Sequence, residues 1–234
     1  MTSVVVYDLF VFERGMKKST SIFLVISACL LLSGMGFVYF NNNVIERDFN
    51  TRLVEQSQNR KSAWKLALHQ TYLKLSLVAT FVANDPKVQT LFLQGKKAVL
   101  EEGGKKGGKR AALIRQRLYE LVGPGWSRVQ KKFFARQLHF HLGPGSTSFL
   151  RVHRFKKFGD KMDDVRFIIV DTNREKTGRV GFETGRIYSG LRAVSPVFAR
   201  DSSSRRRVHV GALEVGGSFY PLIKSFAESQ KLKH

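Results

Sequence analysis

Residues 137–153 read QLHFHLGPGSTSFLRVH, where the period of the apolar residues changes from helical to strand-like. Leu138, Phe140 and Leu142 alternate with His139 and His141, the period of two expected of a half-buried strand. Gly143-Pro144-Gly145 then supplies a turn into a second strand, Thr147 to His153, so the segment reads as a hairpin. Downstream, Met162, Val165, Ile168, Ile169 and Thr172 return to helical spacing, which predicts a helix crossing after the hairpin. Three more strand-like runs follow, Arg179 to Gly185, Ser189 to Phe198 and Val208 to Phe219, separated by loops rich in Gly, Ser and Arg. Two strands, a helix and three strands predict an α+β domain on an antiparallel five-stranded sheet.

Upstream of the hairpin the pattern is helical. Between Val44 and Ala83, Phe49, Leu53, Trp64, Leu68, Leu75 and Val78 recur at mostly helical spacings with no proline or glycine among them, as in a long stalk. Asn84-Asp85-Pro86 breaks that helix and starts another, with Val88, Leu91 and Phe92 on its apolar face. Lys109 to about Leu121 is expected to be a helix ending before Gly123-Pro124-Gly125, with a separate one over Trp126 to Arg136. The intervening Gly103-Gly104-Lys105-Lys106-Gly107-Gly108-Lys109-Arg110 has the glycines of a phosphate-binding turn, but Arg110 stands where Ser or Thr is needed and no apolar strand precedes it. It reads as a solvated basic loop.

From Ile22 to Phe40 the chain runs IFLVISACLLLSGMGFVYF without a charge, about the length needed to cross ~30 Å of hydrocarbon. A transmembrane helix is the reading; a cleaved signal peptide is the rival, opposed by the apolar residues Phe37 to Phe40 beyond the small Ser33-Gly34-Met35-Gly36. Arg14, Lys17 and Lys18 precede the run, whereas Asn41 to Asn43 and mixed charges follow it. The positive-inside rule therefore keeps the N-terminus in the cytoplasm and exports the rest. Met16-Lys17-Lys18 resembles a natural start of such an anchor, which makes residues 1–15 an expected start-site extension. The expected organisation is a cytoplasmic N-terminus over 1–18, a transmembrane helix over 19–40, a helical stalk and distal helices over 41–136, the sheet domain over 137–220, and the start of an exit helix over 221–234.

Composition narrows the function. The chain has 234 residues, 40 basic against 18 acidic, for a formal charge of +22. Such a surface attracts anions, whether nucleic acid, headgroups or acidic metabolites. The single Cys29 excludes an intrachain disulfide and any cysteine zinc motif. No Gly-x-Ser-x-Gly nucleophile turn, zinc motif or dinucleotide fingerprint is present, so neither an enzyme nor a cofactor is expected.

Candidate binding residues lie on the strands. Arg151 and His153 stand two apart and are expected to share a face, where a guanidinium can donate two parallel hydrogen bonds to a carboxylate. Glu183, in Gly181-Phe182-Glu183-Thr184-Gly185, shares its face with two glycines that leave room for a ligand. Arg186, Arg192 and Glu214 are the further candidates. The alternative is an internal salt-bridge set, with Glu183 and Glu214 neutralising Arg151, Arg186 or Arg192 and holding strands in register. His139, His141 and His153 offer imidazoles, but no carboxylate stands at a ligand spacing, so no metal is expected and the histidines read as exposed. Asp160, Asp163 and Asp164 read as a helix N-terminus.

The hairpin residues 137–153, with RFKKFGDKMDD at 154–164, GFETGRIYSGLR at 181–192 and GALEVGGSF at 211–219, resemble the double-Cache type 3 sensory domain of bacterial chemoreceptors, sensor histidine kinases and diguanylate cyclases. The resemblance covers roughly residues 44–225 and implies a PAS-like sheet that senses a small molecule outside the inner membrane. In full-length relatives a second membrane helix leads into a signalling module. This chain ends at His234 without one, so an absent output module, or a separate signalling partner, is expected. A homodimer through the long helix, and a ligand bearing a carboxylate, complete the expectation. The competing class is a basic nucleic-acid-binding protein, drawn from Lys105 to Arg110, Lys131-Lys132 and Arg205 to Arg207; the predicted outward location argues against it.

Overall fold

The computed structural model describes residues 3–133, 135–185 and 189–231, with side chains described between residues 20 and 228. Helix α1 (Ser3–Ala83) is followed by α2 (Pro86–Glu101), α3 (Lys109–Phe133), β1 (Ala135–Leu142), β2 (Thr147–Arg151), a short 3-10 turn (Val152–Arg154), α4 (Phe167–Glu175), β3 (Arg179–Glu183), β4 (Gly190–Arg200), β5 (Arg207–Gly217) and α5 (Tyr220–Lys231). Two compact units divide the chain at Ser62 and Ala63.

The first unit is helical. Its stretch from Ile22 to Phe40 is long and apolar enough to cross a membrane, and the side chains of Phe23, Leu24, Leu31, Phe37 and Phe40 are all exposed. In water so many uncovered apolar groups would be costly, whereas hydrocarbon solvates them.

The second unit is the sheet and its helices. The strand order is β2-β1-β5-β4-β3, antiparallel throughout. Side chains alternate across it: Leu138, Phe140, Leu213, Val215, Ala193 and Val197 enter one large core with α2, α3 and the end of α1. The opposite face carries a small cluster of Ile169, Val194 and Ala212 under α4, and beside it a row of polar side chains.

Local chemistry accounts for the helices. Asp85 caps α2 by accepting from the amides of Lys87 (2.8 Å) and Val88 (3.0 Å), and Pro86 sits at the first position, where its missing N–H is harmless. Val88, Phe92 and Val99 form the buried face, and Gly95 lets the Phe149 ring lie directly on the helix backbone. Helix α3 starts differently: the Glu102 carboxylate accepts from the amides of Gly108 (2.6 Å), Arg110 (2.8 Å) and Ala111 (3.0 Å). The basic loop thus folds around a carboxylate of its own, which occupies the positive end of the helix. Positive φ at Gly103, Gly104 and Gly107 makes that tight path possible.

Several expectations are corrected. Residues 109–133 form one helix, not two: Pro124 lies inside it, and the spacing of Leu118, Val122 and Trp126 buries a continuous face across the break. The crossing helix begins at Phe167, not near Met162. Strand β2 ends at Arg151, so His153 lies in the 3-10 turn. The two histidines of β1 are buried, at 3% and 0% exposure, because residues 152–175 cover the sheet's second face. Asp160 and Asp163 are taken up elsewhere than at the start of α4. Asp160 pairs with Arg151, and Asp163 accepts from the Ser146 amide and hydroxyl, each at 2.7 Å.

Candidate functional site

The covered second face encloses a cavity of about 450 Å³ between β1, β4, β5 and the segment from the 3-10 turn to Arg166. Register builds it. His139 stands opposite Glu214 and Arg151, Val194 opposite Glu214, and Arg192 opposite Gly216. Every second residue of three adjacent strands therefore faces the same space.

Among the described residues, six cationic side chains line it, Arg136, Arg151, Arg154, Lys157, Arg166 and Arg192, with the carboxylate of Asp160. That carboxylate is already engaged: Arg151 Nη1 donates to Oδ1 at 2.7 Å and Nη2 to Oδ2 at 2.8 Å, with a further bond from Nη1 to the Lys157 carbonyl at 2.9 Å. Arg151 consequently holds the Asp160 carboxyl below the usual carboxylate range.

Two more carboxylates lie behind the cavity and are engaged too. Glu214, fully buried, accepts from Arg192 Nη1 at 2.6 Å through Oε1, while its Oε2 is 3.1 Å from His141 Nε2 and 3.5 Å from His139 Nδ1. Burial pushes this carboxyl up, but Arg192 and the two histidines outweigh it and the group lies well below its ordinary range. Arg192 Nη1 also donates to Gln137 Oε1. Glu183 accepts from the Ile168 amide at 2.8 Å, capping α4 from across the fold, with Arg166 Nη1 3.8 Å from its other oxygen. Burial raises the Glu183 carboxyl despite these partners.

Donors remain. Among the described residues, Arg166 Nε and Arg192 Nε are buried N–H groups without a hydrogen-bond partner; His153 Nδ1 is unpaired too, its role set by the tautomer, and all three side chains line the cavity. Burial lowers the His153 imidazole to about 4, so it is neutral at physiological pH. The site offers unsatisfied N–H groups and positive charge, which suits a small anion.

Of the expected residues, Arg151, His153 and Arg192 line the cavity. Glu183 and Glu214 are not among its lining residues and serve as internal partners, and Arg186 lies outside the described residues. Sequence reasoning missed Arg166, Asp160 and Gln137. No periodic signal marks Arg166 or Asp160, since both come from irregular chain between the hairpin and α4.

Over residues 51–231 the chain matches the family described as "Double sensory domain of two-component sensor kinase" (dCache_3). The sensor domain of the Vibrio cholerae histidine kinase DctB shares its fold, with a TM-score of 0.54 at 9% identity over 75% of this chain. This chain spans 60% of that domain's length. The Escherichia coli DcuS sensor domain aligns over 68% of this chain and 96% of its own, at 13% identity and a TM-score of 0.44. The sensory domain of the Campylobacter jejuni chemoreceptor Tlp3, with isoleucine bound, aligns at 16% identity over 71% of this chain and 64% of its own, with a TM-score of 0.32. No curated protein matches.

Proposed function

The chain belongs to the double sensory domain family of two-component sensor kinases, and on that premise we propose that its cavity binds a small carboxylate-bearing anion from outside the cytoplasmic membrane. The observation that carries this reading is the buried Nε donors of Arg166 and Arg192, which face the cavity although Asp160, Glu183 and Glu214 already engage Arg151, Arg166 and Arg192. A ligand carboxylate would meet the unsatisfied N–H groups of Arg166 and Arg192. Glu183 and Glu214 act through their neighbours, orienting Arg166, Arg192 and the start of α4. Arg186 belongs with the cationic group on sequence grounds alone.

The module binds and does not catalyse. It is anchored by the helix through Ile22–Phe40 in the inner membrane, N-terminus inside, with the distal helices and the sheet domain of residues 137–220 outside. Ligand binding favours one packing of α1 against the same helix of a second protomer and so biases the membrane segments, whose output passes to a signalling module or partner. Exposed Phe49 and Leu53 give the part of that helix in the first unit an apolar patch, and exposed Leu73 and Leu77 give the part in the second unit another.

The test uses the full chain in detergent micelles. Thermal unfolding is followed with small mono- and dicarboxylates, inorganic phosphate and amino acids, because a ligand that prefers the native state raises the melting temperature. A carboxylate that stabilises the native chain but not Arg166→Ala supports the reading. Stabilisation by short nucleic acids alone, steeply salt-dependent, overturns it.

A further inference from the structure

The same sheet face holds a second constellation, which adjoins the cavity through His139 and Arg192. His139 Nδ1, His141 Nε2 and Glu214 Oε2 lie within 4.8 Å of one another, and all three residues are buried. The carboxylate oxygen is 3.5 Å from the first nitrogen and 3.1 Å from the second. Donor atoms bound tetrahedrally to one zinc ion at about 2.0–2.1 Å stand about 3.3–3.4 Å apart, and the two separations fall on either side of that value. Strand geometry produces the set: the histidines are two apart on one face of β1, and Glu214 is the cross-strand partner of His139.

An independent feature concerns the atoms on the far side of each group. His141 Nδ1 is 3.3 Å from the Ser146 carbonyl, His139 Nε2 is 2.8 Å from Ser148 Oγ, and Glu214 Oε1 accepts from Arg192. Metal ligands are typically held in this way, the imidazole by its other nitrogen and the carboxylate by its other oxygen. A neutral imidazole carries a single N–H. With that hydrogen on Nδ1 and donated to Ser146, the lone pair of His141 Nε2 points at the lone pairs of Glu214 Oε2. A proton or a metal ion between the two atoms makes that contact attractive: with the hydrogen on Nε2 instead, His141 donates to Glu214 and leaves the Ser146 carbonyl without it. His139 meets the same conflict when its N–H is donated to Ser148.

We propose that His139, His141 and Glu214 form a binding site for a divalent transition-metal ion of the zinc class, with Arg192, Ser146 and Ser148 as its outer partners. Two imidazoles and a carboxylate favour zinc, copper or nickel over magnesium or calcium, which take all-oxygen sites. Three protein ligands leave one tetrahedral position for water.

The experiment takes the full chain in detergent, strips it with a chelator and dialyses it against zinc, and separately against magnesium. Bound metal is counted by mass spectrometry, and the zinc-loaded chain is studied by X-ray absorption. The expected result is one equivalent of zinc, no retained magnesium, and an absorption spectrum showing two imidazole ligands. Glu214→Gln, which keeps an acceptor for Arg192, and His141→Gln abolish the equivalent. Ser148→Ala weakens it about 10–100-fold, and His69→Gln, on the exposed surface of α1, leaves it unchanged. Zinc uptake that survives in both ligand variants, failure of the native chain to retain zinc, or a spectrum without imidazole overturns the site. The native spectrum decides the matter even where a variant fails to fold.

Discussion

Arg151 grips Asp160 with both ends of its guanidinium, at 2.7 and 2.8 Å, and so ties the covering segment to the edge of the sheet. The backbone repeats the link: the Ser148 amide donates to the Asp160 carbonyl at 2.9 Å and the Gly159 amide to the Ser148 carbonyl at 2.8 Å. The cavity has a floor because the strand supplies it and a cover because this clamp holds one in place.

Breaking the clamp should loosen the cover. Asp160→Asn leaves a buried guanidinium with a poorer partner, and a loss of about 1–3 kcal/mol is expected at pH 7. The Asp160 carboxyl is depressed in the folded state, so its contribution is present above the unfolded carboxylate pKa and is lost as pH falls through the folded one. Chemical denaturation at pH 7 and in mild acid checks both points: the gap between native and variant chains should shrink in acid.

Glu183 should behave in the opposite way. Burial raises its carboxyl, so its favourable contribution is present below the unfolded pKa and is lost as pH rises through the folded one. Glu183→Gln keeps an acceptor for the Ile168 amide and should be neutral or slightly stabilising at pH 7. Glu183→Leu removes the α4 cap and should cost about 1–2 kcal/mol. Melting temperatures of the two variants against pH separate charge from capping.

Arg115 is a buried cation with a structural task. Its Nε donates to the Phe149 carbonyl at 2.6 Å, its Nη2 to the Lys106 carbonyl at 2.8 Å, and its guanidinium lies 3.6 Å from the Phe158 ring centroid. Burial pulls its pKa down to about 10, still well above neutrality. Arg115→Met should destabilise by about 2–4 kcal/mol by orphaning two carbonyls, and Arg115→Lys should recover only part of that because one ammonium cannot span both. Denaturant midpoints of the pair provide the check.

Gly211 has no room for a side chain. A Cβ there would overlap the carbonyl of His141 on the neighbouring strand and stand 3.0 Å from the Gly143 amide. Gly211→Ala should force β1 and β5 apart and cost more than about 2 kcal/mol. Amide exchange should show lost protection centred on residues 140–143, with α2 and α3 less affected.

The two histidines of β1 show where sequence reading stops. Alternation placed them correctly on the face opposite Leu138, Phe140 and Leu142, but alternation is silent on whether that face meets water. Residues 152–175 cover it, and their covering depends on Arg151 reaching Asp160 nine residues on and on Glu183 reaching back to Ile168. Asp160 and Asp163 were misplaced at a helix start for the same reason. A carboxylate before a helical run satisfies the local rule whether or not a distant partner takes it first.

Periodicity and charge alone were enough for the five strands, the break at Asn84-Asp85-Pro86, the apolar span of Ile22–Phe40 and the basic character of the domain. These rest on contacts between near neighbours or on solvent, and near neighbours are visible in a one-dimensional string. The cavity, its six cations around one engaged carboxylate, and the meeting of His139, His141 and Glu214 were decided by the tertiary structure. The strand members, His139, His141, Arg151, Arg192 and Glu214, depend on register, and a shift of one residue would carry them to the other face of the sheet; Lys157, Asp160 and Arg166 are brought there by the covering segment.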